Sequence, residues 1–428
     1  MKNKKETLLI LTILITICII IFNRDKLYEA KYTEPKDTLL AITINGEIST
    51  TFPTTKYYET SVECTTGTGK VEWNGTKWVL TTNGITKGST KCNATFITKV
   101  PTFAETILAN NKVKAPITTP GATISTASEA LLASTEDDYG TSYYFRGAVT
   151  NNYVEFANKC WRIVRVGGDG SVKLILHNDN PTGAANPCDA ANNSASAAFA
   201  HYNGSTYTSR FNENYDDNAY IGFKYGTPGS SKYETTHANT NKSTILTNLE
   251  TWYTNNLKTY ESVIDDTVWC NDKTNVTDTS YDPWSITPNG LGYAKNETYY
   301  GATKRLVGTS GSAGGTGPSL KCNGELSKIN SKVGLITADE LAFAGYAYNI
   351  GNTTTYLQEN ATNTYWWSLS PYGFDVGSAG VWGVNGSAGY FDNYNVRGTY
   401  GVRPLISLKS TTNVTGEGTS SAPYIISM

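Results

Sequence analysis

Between Trp382 and Tyr400 the chain crowds Asn385, Tyr390, Phe391, Asp392, Asn393, Tyr394, Asn395 and Arg397 into one glycine-punctuated stretch. Flat rings beside amides offer contact area with little rotamer entropy to lose, which suits the surface of a sugar or a protein. The plainer reading of the same stretch is a set of hairpin loops. Catalysis would ask for more: a nucleophile, a base and an orienting group, or a metal. His177, His201 and His237 fall in no recognisable motif, and the chain has no Gly-x-Ser-x-Gly elbow, phosphate-binding loop or Cys-x-x-Cys pair. No catalytic residue, metal ligand or cofactor is therefore expected. Asp216-Asp217 and Asp265-Asp266 have the side chains for acid–base work, yet surface loops carry such pairs more often. Gly311 to Gly317 has no strand before it and no Lys-Ser/Thr after it, so it reads as a flexible loop. Arg403 stands before Pro404 in an expected core strand, where a buried guanidinium needs a carboxylate. Asp339 and Glu340 are the expected partners in a structural ion pair.

The elements that would position these residues show in the patterning. Leu40-Ala41-Ile42-Thr43-Ile44 alternates and runs into Asn45-Gly46, a hairpin signal, and Asn74-Gly75 between Trp73 and Trp78 is a second. Strands are expected at Tyr58 to Glu63, Lys77 to Thr82 and Cys92 to Thr98, making residues 37–98 a small β module. Residues 99–135 read as a linker with a short helical stretch, Phe103 to Ala109, and a partner helix at Ala127 to Ala133. Beyond it, Tyr153 to Phe156, Cys160 to Val166 and Ser171 to Leu176 are strands. Arg162 and Arg165 are placed on opposite faces because side chains alternate along a strand. Ser243 caps a helix expected to reach Ile264. Lys332 to Thr337 reads as a strand feeding a helix from Ala338, with Thr337 and Glu340 completing a capping box. The last part is strand and loop: Tyr365 to Ser370, Gly380 to Val384, Ala388 to Phe391 and Gly401 to Leu408.

Leu8 to Phe22 is apolar apart from Thr12, Thr16 and Cys18, with Lys2, Lys4 and Lys5 before it and Arg24 and Lys26 after. The run is short for a spanning helix of ~20 residues, but flanking lysines can snorkel and no small-x-small cleavage site follows. Residues 1–23 are therefore expected to be a cytoplasmic tip and an uncleaved signal anchor, with 24–36 a stalk and the remainder outside a single-pass cell membrane. A cleaved signal peptide is the alternative, and both export residue 30 onward. Six cysteines follow Cys18: Cys64, Cys92, Cys160, Cys188, Cys270 and Cys322. An even set suits an oxidising compartment, and although 15 pairings are possible, nearness along the chain suggests Cys64–Cys92, Cys160–Cys188 and Cys270–Cys322. Charge is nearly balanced, 35 basic against 37 acidic side chains, which argues against a nucleic-acid partner.

Cys160-Trp161-Arg162-Ile163-Val164-Arg165, Gly334-Leu335-Ile336-Thr337-Ala338-Asp339-Glu340, Trp367-Ser368-Leu369-Ser370-Pro371 and Gly401-Val402-Arg403-Pro404-Leu405-Ile406-Ser407-Leu408 occur in that order. The series resembles an uncharacterised domain common on surface proteins of gut Firmicutes. That domain resembles the C-type-lectin-like fold, related to the scaffold of formylglycine-generating enzymes and of retroelement-diversified variable proteins. The resemblance covers roughly residues 140–410 and implies a small twisted sheet, two flanking helices and long loops carrying a binding face. In the diversified relatives the variable positions occupy the same late part of the domain as residues 382–400. Two departures limit what is carried over. The Glu-Pro-Asn or Gln-Pro-Asp loop of calcium-dependent lectins is missing, and Trp269-Cys270-Asn271-Asp272 only superficially matches their strand motif. The late cysteines of the formylglycine-generating enzymes are missing too, since none follows Cys322. The expected whole is α+β: an anchor, a small disulfide-stapled β module, a linker and a C-type-lectin-like domain over residues 136–428. Its expected role is recognition of a glycan or of a protein on a host or neighbouring cell. The rivals are an exported enzyme on the same scaffold and a structural envelope protein.

Overall fold

A computed structural model describes residues 39–286, 288–362 and 364–428, so the expected anchor at 8–22 and stalk at 24–36 lie outside the described residues. Among the described residues no helix is long and apolar enough to cross a membrane. The chain divides into two units, the first ending at Pro101 and the second running from Thr102 to Met428.

In the first unit Asn45 and Gly46 adopt positive φ and turn β1 (Leu39–Ile44) into β2 (Glu47–Ser49). The sheet continues β2-β1-β6-β3, with β3 (Tyr58–Cys64) antiparallel and β1 parallel to β6 (Lys91–Thr98). Cys64 lies directly opposite Cys92 and is bonded to it. Asn74 Oδ1 accepts from Lys77 N across the second hairpin, which joins β4 (Thr68–Trp73) to β5 (Trp78–Asn83). A small cluster of Leu40, Ile42, Val71, Trp78, Ala94 and Phe96 fills the interior. So small a core buries little apolar area, and the disulfide across adjacent strands supplements it.

The second unit is mostly sheet with few helices, an α+β arrangement. Residues 102–135, expected as a linker, belong to it. Thr102 caps the helix Phe103–Asn110 in a reciprocal box with Glu105. Ala127 to Ala133, expected as a helix, enters β7 (Ala130–Asp137), which pairs along its whole length with β8 (Gly140–Gly147). Ala and Leu favour helices weakly, and the waiting partner strand overrides that preference. An eight-stranded sheet runs from Leu405–Leu408 through β11 (Val172–Asn178), β10 (Lys159–Val166) and β9 (Tyr153–Phe156) to Tyr424–Ile426 and Val414–Thr415. β8 joins this sheet through β10. A six-stranded sheet is built on Trp366–Asp375, Ser378–Val384 and Phe391–Asn395. Both sheets bury their aromatic and branched residues in one continuous core.

Three local expectations shift. The helix capped by Ser243 ends at Asn256, although Leu257 and Ile264 beyond it are still core residues. Lys332 to Thr337 makes only a single bridge, Gly334 to Leu405. A Cβ on Gly334 would sit 2.3 Å from the Trp269 ring, so this residue serves a close approach rather than a ladder. The last hairpin strand is Phe391–Asn395, not Ala388 to Phe391. Cys160–Cys188 and Cys270–Cys322 are bonded as their spacing suggested.

Candidate functional site

A cleft of about 320 Å³ in the second unit is lined mainly by charge. Each wall follows from an element. Asp137 ends β7, Arg165 lies on β10, Lys173 on β11, Arg305 on the helix Gly301–Leu306, and Asp339 and Glu340 open the helix Ala338–Ala344. Thr337 and Glu340 form the expected capping box, which fixes the Glu340 backbone at the cleft floor. Its carboxylate then takes Arg165 Nε at 3.0 Å and Lys173 Nζ at 3.3 Å. Arg165 Nη1 reaches Asp137 at 2.9 Å. Arg305 grips Asp339 with two nitrogens, at 2.7 and 2.8 Å, and Asp272 with the third at 2.7 Å. Burial alone would raise the Glu340 pKa, but Lys173 and Arg165 hold it down at about 2. Arg305 is pushed the other way by its two carboxylates, against burial. The rim carries exposed Asp138, Tyr139 and Lys321, beside the Cys270–Cys322 bridge.

These partners correct the ion pair expected for Arg403. Asp339 belongs to Arg305, and Glu340 to Arg165 and Lys173. Arg403 is fully buried and donates to carbonyls instead, Nε to Leu176 at 2.8 Å and Nη1 to Leu357 at 2.5 Å. Arg403 precedes strand Leu405–Leu408 and spends its bonds on backbone; a carbonyl partner leaves no trace in residue identity. Arg162 and Arg165, expected on opposite faces, lie opposite Ile175 and Lys173, which are two apart on β11. A register shift between Ile163 and Arg165 brings both to one face, where Arg162 meets Asn152 and Glu359 and Arg165 meets the cleft. The cleft network leaves little signal in the sequence. The one pointer to it was the capping box, which places two carboxylates at a helix start.

The late aromatic stretch divides in two. Residues opposite one another in the hairpin share a face, so Val384, Trp382 and Phe391 turn one way and Tyr394 the other. Trp382 and Phe391 are fully buried, their centroids 4.6 Å apart, and they hold the hairpin to the core. This corrects their expected place in a binding face. On the opposite face Tyr394, Tyr400 and Tyr365 meet at centroid separations of 5.2 to 5.4 Å, and Tyr365 is 40% exposed. Glycines make the room: a Cβ on Gly383 would lie 2.9 Å from the Tyr394 ring, and one on Gly398 2.5 Å from that of Tyr400. Asn385 donates to the Tyr365 hydroxyl at 3.1 Å. Arg397 is exposed, its guanidinium 4.2 Å from the Tyr215 centroid, while Tyr390 and Asn395 are exposed and Asp392 and Asn393 half-buried. Tyr365 and Tyr215 were not anticipated, since neither lies between Trp382 and Tyr400. No protein-family model, curated protein or solved structure matches the chain.

Proposed function

We propose that this chain is an exported recognition protein, held to a membrane by residues 8–22, whose residues 136–428 form a C-type-lectin-like domain that binds a glycan. The observation that carries the reading is the glycine-cleared face of Tyr365, Tyr394 and Tyr400 with the Asn385 amide at its edge. Aromatic faces pack against the C–H faces of sugar rings while a neighbouring amide takes hydroxyls, and pre-packed rings lose little entropy on binding. The three disulfides support an oxidising destination. The cleft, in contrast, has its floor charges matched to one another. A protein ligand is the second reading, favoured by exposed Arg397 stacked on Tyr215, because arginine and tyrosine anchor protein interfaces.

A glycan array and a cell-binding assay with the full chain test this. Tyr394→Ala with Tyr365→Ala is expected to weaken a glycan signal at least tenfold and leave the three disulfides and the unfolding midpoint nearly unchanged. Binding that survives glycan removal but not protease treatment of the cell surface selects the protein reading. No binding to glycans or cells by the wild-type chain, or binding indifferent to both substitutions, rejects the face altogether.

A further inference from the structure

Around Arg403 several fully buried polar atoms have no hydrogen-bond partner among the described residues. They are Arg403 Nη2, both ring nitrogens of His177, Tyr356 Oη and Trp366 Nε1. They share one neighbourhood. The Arg403 guanidinium lies 5.1 Å from the Trp366 ring centroid, and that of Arg162 lies 5.3 Å from Tyr356 and 3.7 Å from Tyr153. The Tyr153 ring meets His177 edge-on at 5.5 Å. Every unpartnered group is a donor or, in neutral histidine, holds one.

Charge makes the same point independently. Arg162 is matched by Glu359, whereas the bonds of Arg403 go to carbonyls. Among the described residues two guanidiniums thus stand against one carboxylate, an excess of one positive charge in this part of the core. Burial lowers the Arg403 pKa only to about 10, so the charge persists at neutral pH. Burial, then the two arginines, keeps His177 neutral, with one N–H to give. An uncompensated buried charge is costly, and native cores pair such a charge or bind a counter-ion. Water would occupy the donors and leave the excess charge.

We propose that these neighbouring donors form an internal site for a small monovalent anion of halide size, held by Arg403 Nη2, Tyr356 Oη and the His177 N–H. The site is independent of the tyrosine face and would hold whatever that face binds.

Bromide is the probe. The full chain, freed of halide, is unfolded thermally in sodium bromide and in sodium gluconate at equal ionic strength. Bromide at about 100 times its Kd is expected to raise the folding equilibrium constant about 100-fold, with no such rise in gluconate. Crystals grown in bromide are expected to show an anomalous peak in contact with Arg403 Nη2 and Tyr356 Oη. Tyr356→Phe, which keeps the ring, is expected to weaken the bromide response roughly tenfold, and Arg403→Met to abolish it. If Arg403→Met fails to fold, the wild-type titration and Tyr356→Phe decide. Equal midpoints in both salts, or a bromide-grown crystal with no peak at these atoms, would overturn the site.

Discussion

The cleft floor and the Arg403 neighbourhood solve the same problem in opposite ways. In the cleft each buried cation meets a carboxylate: Arg165 has Asp137 and Glu340, Lys173 has Glu340, and Arg305 has Asp339 and Asp272. In the core, among the described residues, the hydrogen bonds of Arg403 go to carbonyls, with a neutral histidine and two tyrosines close by. A paired network is rigid and electrostatically closed, because each charge already has its geometry satisfied. An unpaired guanidinium is open, and something must answer its field. The difference locates where an ion would matter to this molecule, and it is not the charged cleft.

Acid should separate the two regions most strongly. His177, and elsewhere in the unit His237, are fully buried, and burial depresses both, His237 to about 3. A folded pKa below the unfolded one means the stabilisation is whole above about pH 6.5 and is lost as the pH falls, since the unfolded chain takes protons first. A histidine held neutral only in the folded chain removes about 1.4 kcal/mol per pH unit, which for His237 is on the order of 3 kcal/mol by pH 4.5, and His177 adds to the loss in the same direction. Glu340 is also depressed, from 4.5 to about 2, so the cleft holds until pH falls through that lower window. Urea unfolding from pH 7 to 3 reads both limbs. His177→Phe should make the upper slope shallower and leave the lower limb; a wild-type profile flat between pH 6.5 and 4.5 contradicts the assignment.

Breaking the paired network comes next. Glu340→Gln strands Lys173 in the cleft, leaves Arg165 with Asp137 alone, and is expected to cost about 3–5 kcal/mol. Adding Lys173→Met should return part of that loss, the coupling that a double-mutant cycle measures. Additive losses would mean the two charges do not lean on each other. Arg403→Met, at a residue buried at least as deeply, should cost less, about 1–3 kcal/mol in halide-free buffer, because it removes hydrogen bonds to two carbonyls and strands no opposite charge. A cost equal to that of Glu340→Gln would show that Arg403 has a carboxylate partner in solution after all.

What could be read in advance follows from how local each cause is. Asn45-Gly46, Asn74-Gly75 and the Thr337–Glu340 box act within a few residues, and all three take the expected form. The three disulfides join cysteines close along the chain, as proximity suggested. Longer-range causes were hidden. Ala130–Asp137 is a strand because β8 waits for it, and Arg403 finds backbone oxygens, which any residue could supply. The late stretch was recognisable as aromatic, but its two faces depend on register. Pairing Val384 with Phe391 sends Trp382 and Phe391 inward and turns Tyr394 out to join Tyr365, a residue well upstream of the crowded stretch.

The smallest change in stability should come from that outer face, and its smallness is the point. Tyr365 is 40% exposed and touches Tyr394 and Tyr400 only by their edges and faces, so Tyr365→Ala removes aromatic contacts without opening the core. About 0.5–1 kcal/mol is the expected loss, against several for the cleft. A face kept for recognition should show the reverse ratio in binding, with affinity falling at least tenfold while the unfolding midpoint barely moves. If Tyr365→Ala instead destabilises as much as Glu340→Gln, the rings are a structural seam like Trp382 and Phe391, and the ligand must be sought at the charged cleft, where Asp138, Tyr139 and Lys321 remain open to solvent.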